Sequence, residues 1–282
     1  MIDAFVCTNL VNFTVALQGI GLGGQRRALL LYEPARMATP RLTRVWALPI
    51  GIWSLRLLRW LAALRLLHTL HVPHHRFNRR VAQAMRSARA TAYLDDGLDT
   101  RRQVPRNFNL DGVTGRPAYH TFAEYTTLPD WLARFDVRRG CSLTELARTP
   151  QRPPLPLGDV DHVLVESPGL HVADVVSGLA LAPARTLIVR HPIAAKRGAL
   201  PPGCRATEGH AHNLEASLLT SRGKAFYFGE TMALVFAALS DVARNNDVFA
   251  QLDDAQRANL VGLRWLEVPG GSVAGLYRVA AG

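Results

Sequence analysis

Short apolar runs bounded by polar turns recur along the chain, and most are only long enough for buried strands. Ile2 to Cys7 predicts a strand, Asn12 to Gln18 has helical spacing, and Ala28 to Tyr32 predicts a second strand. A helix is expected around Arg76 to Arg86 and a strand at Ala90 to Leu94, which runs into Asp95-Asp96-Gly97. Arg101 to Pro117 has the composition of a loop; Asp130 to Arg134 and Leu143 to Arg148 predict short helices.

Pro150-Gln151-Arg152-Pro153-Pro154-Leu155-Pro156 interrupts the pattern. Prolines at that density cannot sit inside a helix or a central strand. Beyond it the alternation restarts. His162 to Glu166, Thr186 to Arg190 and Ala225 to Phe228 predict strands. Val172 to Leu181, Asn213 to Thr220 and Thr231 to about Ala243 predict helices. Strands alternating with helices imply parallel sheets. The expected architecture is α/β, with two Rossmann-like domains, 1–152 and 153–282, facing a central cleft.

Two segments need separate treatment. Gly19-Ile20-Gly21-Leu22-Gly23-Gly24 satisfies the G-x-G-x-x-G spacing but follows a helix instead of a strand. It is read as a helix end with left-handed glycine, not a dinucleotide site. Trp46 to Leu70 is rich in Leu and Trp but carries Arg56, Arg59 and Arg65, which makes a spanning helix costly. Arg65 falls roughly opposite Arg56 on a helical wheel. The segment therefore reads first as a domain helix with partly buried faces, and second as a peripheral contact with anionic lipid.

With 48% hydrophobic residues in 282, the chain can build substantial cores. The formal net charge of +11 favours anionic partners, among them a nucleotide-sugar, a phosphorylated glycolipid and an anionic membrane. Nucleic acid is not expected, because no zinc finger, RNA-recognition motif or long basic run is present. Cys7, Cys141 and Cys204 are an odd, scattered set that fits a reducing compartment. No secretory signal precedes the first apolar stretch, so a cytoplasmic location is expected, peripheral at the inner face of the membrane. His68, His71, His74 and His75 surround Pro73 and read as a solvated basic loop; no metal site is expected. Ser167 lacks the G-x-S-x-G elbow of a serine hydrolase.

Ligands of parallel α/β sheets bind outside the carboxyl ends of the strands. Asp95-Asp96-Gly97, His191-Pro192 and Gly229-Glu230-Thr231 all fall at such ends. A carboxylate of the first group can take the proton from a sugar hydroxyl as it attacks, and Gly97 lets the chain turn beside the substrate. An imidazolium at His191 can pair with a departing phosphate and protonate it, with Arg190 and Lys196 adding positive charge. Gly229 precedes a helix, so N–H groups around Glu230 to Ala233 can meet an anion. The Thr231 hydroxyl can add a donor or act as an N-cap. Glu215 can accept hydrogen bonds from a ribose or base, or stand as a solvated helix residue.

The ordered set resembles the bacterial sialyltransferase and polysialyltransferase families, which share a D/E-D/E-G motif, an H-P motif and a later Ser/Thr motif. Asp95-Asp96-Gly97, His191-Pro192 and Glu230-Thr231 carry the resemblance, with Glu215 and Thr231 lying 24 and 40 residues beyond His191. Tyr93-Leu94-Asp95-Asp96-Gly97-Leu98 is most similar to the lipooligosaccharide sialyltransferase branch. The resemblance spans roughly residues 2–245.

It implies a GT-B fold, an acceptor side in 1–152 and a CMP-sugar side in 153–282. It further implies an inverting, metal-independent transfer of sialic acid or a related nonulosonic acid. The acceptor would be a hydroxyl of surface lipooligosaccharide or capsule, and no cofactor beyond the CMP-sugar donor is implied. Asp95, in preference to Asp96, would be the base and His191 the acid. Glu215 would hold cytidine and Thr231 the phosphate, with Gly97, Pro192, Gly229 and Glu230 shaping the site. One position departs from the pattern, since Glu230 stands where the family has a small hydroxyl residue. That leaves a different nonulosonic donor, a shifted register or lost activity as readings. A GT-B enzyme with another donor, such as CMP-Kdo, and a catalytically degenerate basic binding protein are the alternatives.

Overall fold

The computed structural model describes residues 1–22, 27–34, 37, 43–73, 78–98, 116–149, 152–191, 197–268 and 272–280. The chain divides into two compact units, Met1–Pro150 and Gln151–Gly282, each built on its own sheet.

Unit one carries β1 (Ile2–Cys7), α1 (Leu10–Leu22), β2 (Arg27–Tyr32), β3 (Val45–Pro49), α2 (Ile52–Ala63) and β4 (Leu67–Val72). It continues with α3 (Arg79–Ser87), β5 (Ala90–Leu94), β6 (Ala118–Phe122), β7 (Asp136–Cys141) and α4 (Glu145–Arg148). Its sheet runs β3-β2-β1-β4-β5-β6-β7, with every pairing parallel. The order reverses direction beside β1, as in doubly wound nucleotide-binding sheets. One sheet face buries Leu29, Leu31, Leu70, Val72 and Tyr93 against Leu55, Leu58 and Ala62 of α2 and Val81 and Ala84 of α3.

Three expectations are corrected in this unit. Trp46 to Leu70 is not one helix but β3, α2 and β4, because Pro49 and Gly51 end the strand and open the helix. Arg65 lies beyond α2 in a left-handed turn at φ 55°, so its place on a helical wheel has no meaning. His68 and His71 belong to β4 and not to a loop: His68 bonds Thr69 Oγ1 at 2.9 Å, and His71 stacks on Phe5 with centroids 4.2 Å apart. His74 and His75, and nearly all of the expected loop at 101–117, lie outside the described residues. Helix α1 runs through Gly19 and Gly21, neither of which has positive φ; Gly23 and Gly24 lie outside the described residues.

His120 of β6 lies 5.3 Å from the His71 ring. Burial, with Arg138 nearby, pushes the His120 imidazole down to about 4, opposed by Asp136. His71 is also held well below the usual value, by burial first and then by His120 and Arg138. Both groups bind fewer protons folded than unfolded, so stability is present above the unfolded imidazole value and is lost as pH falls toward 4. His120 alone accounts for a loss on the order of 2 kcal/mol between about pH 7 and about pH 5. Urea unfolding at both values should register it, and His120→Leu should remove that part of the pH dependence.

Unit two carries β8 (His162–Val165), α5 (Val172–Gly178), β9 (Thr186–Arg190), β10 (Arg205–Glu208), α6 (Leu214–Thr220) and β11 (Ala225–Phe228). Then follow α7 (Met232–Leu239), α8 (Val242–Asn245), β12 (Asp247–Gln251), α9 (Asp254–Asn259), β13 (Trp265–Glu267) and β14 (Leu276–Val279). The helix expected from Thr231 to Ala243 is thus two helices, broken at Ser240 and Asp241. The sheet order is β10-β9-β8-β11-β12-β14-β13, parallel through β12 and antiparallel at β14 and β13. The reversal falls beside β8. Leu164, Ile188 and Tyr227 of this sheet pack on Val172, Val175 and Val176 of α5. Both units are therefore α/β and Rossmann-like in strand order.

Candidate active site

In unit one the site forms where β5 and β1 end. Asp95 continues the ladder, its N–H donating to His120 O at 2.9 Å. Its side chain turns inward and is 0% exposed. Oδ1 accepts the Gly97 N–H at 2.7 Å, and Oδ2 accepts the Thr121 hydroxyl, also fully buried. Gly97 closes this turn at φ 76°, in the left-handed region that favours glycine. Asp95 is thus a buried, turn-holding carboxylate. Of the two carboxylates Asp96 is the more exposed.

Asp96 sits half-buried on the other side of the strand end. Its Oδ1 accepts from Asn9 Nδ2 at 2.7 Å and Asn12 Nδ2 at 3.1 Å. Asn9 lies in the turn between β1 and α1, and Asn12 lies in the first turn of α1. Asn12 is fully buried, and its Oδ1 accepts the N–H groups of Thr8 and Asn9 at 2.9 and 3.2 Å. Asn9 Oδ1 in turn accepts the Asn12 N–H at 3.0 Å. A closed amide network therefore fixes Asp96 from a segment more than eighty residues away in sequence. Sequence reasoning missed Asn9, Asn12 and Thr121. The available signal was a Thr-Asn pair directly after a buried strand.

Unit two has a separate cluster of its own, along the carboxyl ends of β9, β8 and β11. Glu166 follows β8 and is 5% exposed. It accepts the His191 N–H at 2.9 Å and the Gly198 N–H at 3.2 Å, and pairs with Arg190 at 3.1 Å. Arg190 also donates to Gly198 O at 3.0 Å. This guanidinium is bound into the turn. Arg197 Nε donates to His191 O at 2.9 Å, and its other end pairs with Glu208. His191 thus stands at the end of β9 with both backbone groups held. Pro192 and Lys196 lie outside the described residues. Glu166 and Arg197 were missed as site-builders; a carboxylate ending the apolar run His162 to Val165 was the legible hint.

Across β8, the turn after β11 meets the turn after β8 backbone to backbone. Gly229 N–H donates to Ser167 Oγ at 2.8 Å, and Glu230 N–H donates to Pro168 O at 2.8 Å. These two N–H groups are spent, so an anion site at this helix begins no earlier than Thr231. Thr231 occupies the N-cap position of α7 in extended conformation, φ −147°, but its hydroxyl makes no capping bond. Glu215 lies in the first turn of α6, behind the Asn213 cap, which accepts Ala216 N–H at 3.0 Å. The residue is half-buried, and burial pushes its carboxyl above its ordinary value. Among the described residues no group of three His, Cys, Asp or Glu side chains is arranged to hold a metal ion.

No protein-family model matches this chain, and no curated protein sequence matches it.

Proposed function

We propose that the protein is an inverting glycosyltransferase of the GT-B type. In this reading it moves sialic acid or a related nonulosonic acid from a CMP-sugar to a hydroxyl of a surface glycan, lipooligosaccharide or capsule. The observation that carries the reading is the placement of His191 and Thr231. They follow β9 and β11, the two strands that flank β8, where the strand order of unit two reverses. That crevice is where open α/β sheets take nucleotides. Thr231 offers an uncommitted capping position at a helix N-terminus, suited to a phosphate.

In the proposed reaction Asp96 accepts the proton of the acceptor hydroxyl as its oxygen attacks the anomeric carbon. The bond from that carbon to the CMP phosphate oxygen breaks with inversion. His191 pairs with the departing phosphate and donates a proton to it. Glu166 and Asp95 act as positioning residues, one for the His191 backbone and the other for the Gly97 turn. Glu215 faces the cytidine, where a carboxyl raised by burial serves as a hydrogen-bonding partner. No residue of this scheme requires a metal. The acceptor lies at the inner face of the membrane, with the protein bound there peripherally.

Calorimetric titration of CMP, CDP and UMP tests the donor site. Selective CMP binding is expected. His191→Ala and Thr231→Ala should each weaken it by roughly tenfold or more, the scale of a charge-assisted hydrogen bond. Asp96→Asn should leave it intact. A folded wild-type protein that binds no nucleotide would overturn the reading and favour a binding protein on a transferase scaffold.

A further inference from the structure

Helix α2 uses one face for folding and leaves the other unaccounted for. Ser54, Leu55, Leu58 and Ala62 are buried. On the opposite side Trp53, Leu57, Trp60 and Leu64 follow one another at steps of four, three and four residues, which makes one continuous stripe. They are 79%, 40%, 63% and 61% exposed. Two indoles this open are unusual on a monomer's surface and mark a contact site. Arg56 and Arg59 flank the stripe, Arg56 lying over the Trp53 ring at 5.0 Å, and Arg80 of α3 joins them in lining one shallow groove. Trp46, 49% exposed, adds a third indole on the edge strand β3.

The charge of the chain is concentrated in this same region. From Pro34 to Leu94 there are eleven arginines and no lysine, aspartate or glutamate. The rest of the chain holds 22 basic and 22 acidic residues, so the whole net charge of +11 belongs to this stretch.

We propose that the outer face of α2 seats the protein on an anionic phospholipid surface. The indoles and leucines enter the headgroup boundary, and Arg56, Arg59 and Arg80 pair with lipid phosphates. Tryptophan is the side chain best suited to that boundary, with an apolar ring and one N–H donor. A second copy of the chain fits less well, because a two-fold contact would set these arginines against each other with no acidic residue in the segment to oppose them. Nucleic acid fits less well too, since leucines alternate with the indoles and gain nothing from stacked bases. Among the described residues no helix is long and apolar enough to cross a membrane, so this face would be a surface anchor. The inference names the surface for the membrane contact proposed above and is independent of the transferase chemistry.

Flotation with vesicles of phosphatidylcholine containing phosphatidylglycerol, and with phosphatidylcholine alone, tests it at low and high salt. The wild type should float with the anionic vesicles, with its indole emission shifted to the blue. W53S/W60S, which alters only exposed side chains, should lose roughly tenfold in partitioning. R56Q/R59Q should lose most of the preference for anionic over neutral lipid. Wild-type protein that ignores anionic vesicles overturns the proposal, as does W53S/W60S floating like wild type. So does a wild-type dimer that W53S/W60S turns into a monomer, because the face then belongs to a second copy. CMP titration of W53S/W60S should match wild type, which keeps failure of the anchor separate from failure of the donor site.

Discussion

Asp96→Asn should lower transfer to an acceptor hydroxyl by roughly a hundred- to ten-thousand-fold, the range for loss of a general base, with CMP binding retained. Asparagine keeps the shape of the side chain and an oxygen to accept from Asn9 and Asn12, which hold Asp96 at 2.7 and 3.1 Å. What it loses is the ability to take a proton. Asp95→Asn should behave differently. Asp95 is 0% exposed, and its two oxygens accept the Gly97 N–H and the Thr121 hydroxyl. An amide can accept only on one side, so a buried partner must turn or go unbonded, at a cost of about 1–3 kcal/mol. The Asp95 variant should therefore lose stability in urea, and its activity should follow the folded fraction. Single-turnover rates beside unfolding midpoints separate the two effects. If Asp95→Asn abolished transfer in a fully folded protein while Asp96→Asn did not, the assignment of the base to Asp96 would fail.

The choice between these two neighbours shows where sequence reading stops. Successive residues at a strand end point to opposite sides. Asp-Asp-Gly announces a carboxylate site but not which carboxylate faces in. That depends on Thr121, Asn9 and Asn12, which reach the turn only through the sheet. The strands carrying the motifs were legible, because Ala90 to Leu94, Thr186 to Arg190 and Ala225 to Phe228 are apolar runs with clear polar ends. Strands β3 and β4 were not. Leu67–Val72 carries two histidines and Val45–Pro49 lies at the sheet edge, while the Leu-rich stretch between them has helical spacing. Burial decided there, not local propensity. Likewise Glu166 reads as the last residue of a strand, and only the fold shows it holding the His191 and Gly198 N–H groups.

Gly229→Ala should cost stability and nucleotide binding together. A Cβ at this position would stand 2.1 Å from Pro168 O, 2.8 Å from Leu170 N and 2.9 Å from Pro168 C. All three are backbone atoms, so no side chain can swing aside. The turn after β8 would have to move, and it is bound to the β11 turn through Ser167 Oγ to Gly229 N–H and Pro168 O to Glu230 N–H. Overpacking of this kind costs about 3 kcal/mol or more when the neighbours are rigid. It also displaces Thr231, which follows two residues later at the proposed phosphate position. Gly158→Ala is the matched control, since a Cβ there meets nothing within 4 Å. That variant should stay within about 1 kcal/mol of wild type. Urea unfolding and CMP titration on the two variants decide the matter. A Gly229→Ala protein with wild-type stability and affinity would mean that the turns can separate freely. The close approach of β8 and β11 would then not be what shapes the nucleotide site.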